Sequence, residues 1–106
     1  NATRFFCISK ETEVYDGADT IAVSVSLPHI SGSLYRMLTK FAVNELDLTK
    51  IQSKPLPLEF RTEEDEFMFY LEFSGNVGQP VVLRLLHNFQ TEYSYFRFHG
   101  NFLAVN

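Results

Sequence analysis

The sequence lacks tryptophan, contains a single cysteine, and has no apolar run long enough to cross a membrane. With Cys7 alone no intrachain disulfide can form, which is compatible with a reducing cytoplasm. No stretch approaches the roughly 20 apolar residues of a transmembrane helix, and residues 1–10 lack the layout of a signal peptide. No His, Cys, Asp or Glu group has the spacing of metal ligands. We therefore expect a cytoplasmic domain with no cofactor, no metal and no membrane partner.

Positive charge is also scarce, with 9 Lys and Arg residues against 13 Asp and Glu residues, a formal net charge of −4. Nucleic-acid binders need a basic surface to replace counterions on phosphates, so we expect no nucleic-acid partner.

The three histidines, His29, His87 and His99, are scattered along the chain. The acidic run 63–66 is interpreted as a solvated hairpin tip, since acid–base catalysis needs carboxylates in a cleft. The residue pattern therefore assigns no catalytic residue to this chain.

Phenylalanine is the residue type that the sequence has in excess, at 11 of 106 residues. A chain of this length buries roughly two-thirds of its unfolded surface, which is enough for one hydrophobic core. The aromatic side chains must lie in that core, in an interface or in a ligand site, because exposed aromatic patches promote association.

The apolar pattern from Thr20 onward predicts six elements. Alternation predicts strands over 20–27, 48–55, 66–74 and 93–99, the last closed by Gly100. Helical spacing predicts a helix from Ser31-Gly32 to about Asn44, with Ser31 as N-cap, and a second helix that begins at Pro80. The order strand, helix, strand, strand, helix, strand predicts an α+β fold, a ferredoxin-like βαββαβ sandwich with two helices on one face of a four-stranded antiparallel sheet.

A first segment, residues 27–35, carries groups that suit a small anionic ligand. A strand ends there, a short loop follows, and a helix begins at Gly32. Free backbone N–H groups and the helix dipole at such a point can hold a carboxylate, and Gly32 lets a ligand approach the backbone. The alternative is an ordinary strand-to-helix connection in which Gly32 serves only the turn.

A second segment, residues 51–55, carries amide, hydroxyl and ammonium groups on a strand expected to lie at the sheet edge. Alternation places Gln52 and Lys54 on one face and Ile51 and Ser53 on the other. These groups suit a zwitterionic small molecule. The alternative is a polar edge strand whose Lys54 and Pro55 discourage edge-to-edge aggregation.

Together the two segments resemble the ACT regulatory domain of prephenate dehydratases, of the type also found joined to chorismate mutase. That family has a Gly-Ala-Leu-Val-type motif at the start of the first helix, which reads Gly-Ser-Leu-Tyr at 32–35 here. Its Glu-Ser-Arg-Pro-type motif in the second strand reads Gln-Ser-Lys-Pro at 52–55. Residues 48–51 and 98–102 are also similar, so the resemblance covers about 20–102.

Residues 1–5, Asn-Ala-Thr-Arg-Phe, resemble the Thr-Arg-Phe motif that closes the catalytic domain of the same family. Thr3 is the position that matches the family's dehydratase motif. The resemblance implies that residues 1–19 are a remnant of the upstream catalytic domain and a linker, and that 20–106 are the ACT domain. Because Thr3 lacks its catalytic partners, we expect no enzymatic activity from this chain, whereas the parent enzyme would be a lyase.

The resemblance also implies a ligand and partners. L-Phenylalanine would act as an allosteric effector that mediates feedback inhibition of phenylalanine biosynthesis, bound where two such domains pair as a homodimer attached to catalytic domains. The implied ligand-binding residues are Leu27, Gly32, Ser33, Leu34, Ile51, Gln52 and Ser53.

Several positions depart from the family motifs. Gln52 and Lys54 replace Glu and Arg, and a lysine offers a point charge in place of a planar fork; Ser33 replaces the usual Ala. Two other functions stay open. One is a dimerisation module with a decayed ligand site, and the other is an RNA-binding module of the same topology, in which Tyr70 and Tyr95 would stack bases.

Overall fold

Four strands and two helices occur in the predicted order. The computed structural model describes residues 17–28, 32–63, 65 and 67–104. The elements are β1 (Thr20–Ser26), α1 (Ser33–Val43), β2 (Leu48–Pro55), a 3-10 helix (Leu58–Phe60), β3 (Phe67–Ser74), α2 (Pro80–Glu92) and β4 (Phe96–Phe102). The sheet order is β2-β3-β1-β4 and every neighbouring pair is antiparallel. The predicted ferredoxin-like α+β architecture is confirmed.

The hydrophobic core lies between the sheet and the two helices. Phe41 of α1 lies between Phe73 of β3 and Phe89 of α2, with ring centroids 5.0 and 5.7 Å away. Burial of one such side chain contributes about 1.5–3 kcal/mol, so this aromatic contact holds both helices to the sheet. Other fully buried core residues are Ile21, Val23, Val25, Met37, Leu71, Val82 and Leu86.

The last strand begins three residues later than predicted. The backbone N–H of Tyr93 donates to the carbonyl of Phe89, and the two rings lie 5.4 Å apart, so Tyr93 ends α2 and does not start β4. Gly100 does not close the strand either: it pairs with Ala22 next to a register shift, and β4 continues to Phe102.

The connection between β2 and β3 is not simply a solvated tip. Asp65 exposes only 8% of its surface. Its carboxylate accepts a hydrogen bond from the Ser94 hydroxyl, and its backbone N–H donates to Thr62 Oγ1 at 2.8 Å. Glu63 is exposed, and residues 64 and 66 lie outside the described ranges. The prediction is wrong for Asp65, because a hydroxyl and a turn satisfy its polar groups away from water.

Neither described helix has the length and apolar character needed to span a membrane. Within the same residues, no three His, Cys, Asp or Glu side chains are placed to hold a metal ion.

Candidate ligand-binding site

The start of α1 and the second half of β2 lie at the same end of the sheet. Both β1 and β2 are antiparallel to β3, so they run in the same direction, and α1 begins just beyond the end of β1. Ser53 pairs with Phe69, which pairs with Val25. Two strand spacings, about 10 Å, therefore separate Ser53 from Val25. The fold brings the described residues of both predicted segments, 27–28 and 32–35 of the first and 51–55 of the second, to one end of the domain.

The residues of the β2 motif lie on two faces of the sheet. Ile51 and Ser53 pair with residues of β3 that pack in or against the core, so they face the helices. Gln52 pairs with Tyr70 on the opposite, open face, and the Lys54 ammonium group lies 5.3 Å from the centroid of the Tyr70 ring. The predicted alternation is confirmed. Within one chain it places Gln52 on the face of the sheet away from α1.

The apolar residues predicted to surround a ligand differ in exposure. Leu27, directly after β1, exposes 7% of its surface, whereas Leu34 exposes 39% and Ile51 exposes 41%. Tyr35 is more exposed still. Half-exposed apolar side chains on α1 and on an edge strand suit contact with a ligand or a second chain.

Gly32 is the N-cap residue of α1 and has a left-handed backbone, with φ +87° and ψ −3°. The sequence-based N-cap, Ser31, was therefore one residue too early, and it lies outside the described residues. The left-handed conformation costs a non-glycine residue roughly 1–2 kcal/mol, so the backbone itself requires glycine here. Among described residues no side chain caps the helix, and its first turn contains no acidic residue.

Arg36 reaches back over Gly32. A Cβ atom built on Gly32 would lie 3.3 Å from Nη1 of Arg36, and the Arg36 backbone N–H donates to the Gly32 carbonyl at 2.9 Å. Burial raises the pKa of Tyr93, the Glu92 carboxylate adds to that rise, and the Arg36 charge opposes it. Arg36 was not predicted as a site residue from the sequence. Its spacing of four residues from Gly32, which puts both on one side of the helix, is the signal that could have found it.

Ser33 opens the first turn of α1 and exposes 9% of its surface. Its hydroxyl has no hydrogen-bond partner in the described structure, an arrangement that costs about 1–3 kcal/mol. The first N–H groups of a helix also lack intrahelical partners. We call Gly32, Ser33, Leu34 and Arg36 the α1 start. It combines backbone donors, a buried hydroxyl and a guanidinium, which suits a carboxylate.

A second polar cluster lies on the open face of the sheet. The Nε2 atom of His99 is 2.7 Å from the hydroxyl of buried Ser24, and the His99 ring is 5.4 Å from that of Tyr70. The Tyr70 hydroxyl donates to Glu72 at 2.6 Å. Desolvation, followed by the hydrogen bond to Glu72, raises the pKa of Tyr70 to about 12. Both rings are thus already engaged by neighbouring side chains.

Tyr95 is not a strand residue, unlike Tyr70, which lies in β3 on the open face of the sheet. It precedes β4, and its ring packs on Phe60 of the 3-10 helix, with centroids 5.1 Å apart. The two tyrosines therefore do not form the pair of strand-borne stacking residues that the RNA-binding alternative requires. Thr3, the position that matched the dehydratase motif, lies outside the described residues.

No protein-family model matches the chain, but curated proteins and solved structures do. The prephenate dehydratase of Corynebacterium glutamicum is 39% identical over 90 residues, which are 80% of this chain and 27% of that protein. The crystal structure of the Arthrobacter aurescens prephenate dehydratase in complex with L-Phe matches with a TM-score of 0.69 and 26% identity, over 85% of this chain and 28% of that one. The Streptococcus mutans prephenate dehydratase matches with a TM-score of 0.59 and 27% identity, over 84% of this chain and 44% of that one.

These matches cover most of this chain but less than half of each relative. The chain is therefore similar, over about four-fifths of its length, to one part of the prephenate dehydratases.

Proposed function

We propose that this chain is the ACT-type regulatory domain of a prephenate dehydratase, and that it binds L-phenylalanine to mediate feedback inhibition of phenylalanine biosynthesis. The observation that carries the proposal is the α1 start, a carboxylate-type site in a chain whose fold matches a prephenate dehydratase solved in complex with L-Phe. In this proposal residues 20–106 are the regulatory domain and 1–19 belong to the end of the catalytic domain and its linker. The chain itself is not the enzyme, and the parent is a cytoplasmic lyase.

The ligand's charged groups find suitable partners at the α1 start. A partly buried amino acid needs both its carboxylate and its ammonium group satisfied, because unpaired buried charge is costly. The N–H groups of Ser33 and Leu34 would hold the carboxylate, and nearby backbone carbonyls would accept from the ammonium group. The benzyl side chain would lie against Leu27, Leu34 and Ile51, where full desolvation would contribute roughly 1.5–3 kcal/mol.

A second copy of the chain is the proposed partner, paired along β2. Among the described residues β2 pairs only with β3, and seven of its eight residues are exposed. α1 connects β1 to β2 across β3, so it is the helix nearer to that edge. Pairing there would cover the exposed surfaces of Leu34, Tyr35 and Ile51. It would also bring Gln52 and Ser53 of the edge strand into an interface with the second chain.

Regulation would follow from differential binding. Phenylalanine bound at the interface would stabilise one arrangement of the paired domains, in which the attached catalytic domains are less active.

Isothermal titration calorimetry on the 106-residue chain tests the proposal, with L-Phe, L-Tyr and L-Leu as ligands and light scattering to report the oligomeric state. We expect L-Phe to bind more tightly than the other two, and to bind to a dimer. If millimolar L-Phe gives no heat while light scattering still reports a dimer, the sensing function is refuted and the dimerisation module remains.

A further inference from the structure

We infer that Arg36 supplies the side-chain cation for the carboxylate of the bound amino acid, so that the site selects ligands with a free α-carboxylate. The inference rests on the proposed function and adds to it a specificity-determining residue outside the motif at 32–35.

The guanidinium of Arg36 lies beside the start of α1. Its Nη1 atom would be 3.3 Å from a Cβ atom on Gly32, so the group lies against the exposed backbone at which α1 begins. A larger residue at 32 would occupy that space. The absence of a side chain at Gly32 thus lets the guanidinium and the first N–H groups of α1 face the same volume.

The charges at the α1 start favour an anion. A helix N-terminus carries partial positive charge, and a cation beside it is unfavourable unless an anion lies between them. The first turn of α1 contains no acidic residue. Lys40 pairs with Glu92 at 2.9 Å, whereas Arg36 has no carboxylate partner among the described residues. Two sources of positive potential therefore meet with no anion from the described residues between them, and a ligand carboxylate would neutralise both.

The buried hydroxyl of Ser33 is an independent third observation. Its Oγ atom is buried in the first turn and has no hydrogen-bond partner among the described residues. A carboxylate has four lone pairs to satisfy, and the guanidinium of Arg36 offers a planar fork for two of them. Backbone N–H groups and the Ser33 hydroxyl supply further donors in the same turn.

Calorimetry with a matched pair of ligands and variants tests this role. L-Phenylalaninamide keeps the benzyl and ammonium groups of L-Phe but lacks the carboxylate. Arg36→Gln should weaken L-Phe binding at least tenfold, equivalent to about 1.4 kcal/mol, and should leave the weaker binding of the amide unchanged. Arg84→Gln, an exposed arginine on α2, is the control and should bind both ligands as the wild type does. Arg36→Lys, which keeps the charge but not the fork, should fall between wild type and Arg36→Gln.

The outcomes separate the inference from the proposed function. If the wild type binds L-Phe and Arg36→Gln binds it equally well, Arg36 is not the anchor although the sensing function stands. If Arg36→Gln weakens both ligands equally, its effect does not pass through the carboxylate, and the inference is again overturned. If the wild type itself fails to bind L-Phe, the proposed function and this inference fall together. Circular dichroism of each variant verifies the fold, which an exposed side chain should not disturb.

Discussion

The left-handed backbone at Gly32 gives the most direct stability test of the site. Replacing Gly32 by Ala at φ +87° forces a Cβ atom toward the following carbonyl oxygen, at a cost of roughly 1–2 kcal/mol. The new Cβ would also meet the Arg36 guanidinium at 3.3 Å. That group is the exposed end of a flexible side chain and can move away, so it adds little to the loss of stability. One kcal/mol shifts the melting temperature of a domain of about this size by roughly 4–8 °C, so Gly32→Ala should melt roughly 4–16 °C lower.

Thermal unfolding followed by circular dichroism measures this change, and Gly17→Ala is the matched control. Gly17 precedes β1 and has φ +84°, and a Cβ atom added to it would meet no heavy atom of the described residues within 4 Å. It therefore carries the backbone penalty without the contact to Arg36. We expect both variants to lose stability, but only Gly32→Ala to lose affinity for L-Phe. A melting temperature of Gly32→Ala equal to that of the wild type would refute the left-handed backbone argument.

Three further changes have defined outcomes. Ser33→Ala removes a buried hydroxyl that has no partner among the described residues and should raise the free energy of unfolding by about 1 kcal/mol, measured by urea denaturation; a loss of stability would mean that the hydroxyl is bonded. Desolvation lowers the pKa of His99 below 6.5, so the folded state disfavours the protonated ring. The neutral His99 ring therefore contributes stability above pH 6.5, and this contribution declines as the pH falls toward the folded-state pKa. The free energy of unfolding, measured at several pH values, should show this decline in the wild type and not in His99→Gln. Ile51→Lys should convert the dimer to a monomer in light scattering, whereas Leu58→Lys, an equally polar change at another exposed apolar residue, should not.

Local periodicity was enough to predict the elements and their order. The predicted bounds of β2, residues 48–55, are those of the structure, and the prediction for the preceding helix differs by one or two residues at each end. Alternation in a strand and a spacing of three to four residues in a helix reflect which side chains one element can bury on one face. Neighbouring residues alone contain that information, so these features follow from the sequence.

Boundaries that depend on distant contacts were not predictable in the same way. The aromatic run at 93–98 fits a strand as well as the end of a helix. Packing of Tyr93 on Phe89 decided in favour of the helix end. Asp65 has the composition of a solvated tip, but the hydroxyl of Ser94, 29 residues away, allows its burial. A partner that far along the chain leaves no local signal at Asp65.

Some features of the candidate site were likewise predictable from local sequence, and others depended on distant contacts. The sequence alone marked the helix start at Gly32 and the polar segment of β2, because glycine at a strand-to-helix junction and alternating polar groups are local patterns. Only the tertiary structure decided that the Ser33 hydroxyl is buried with no partner among the described residues, that Arg36 lies over Gly32, and that Gln52 faces away from α1. Burial, charge proximity and the face that a strand turns to its neighbours are set by packing between elements, and that packing arises only when the whole sheet and both helices are assembled.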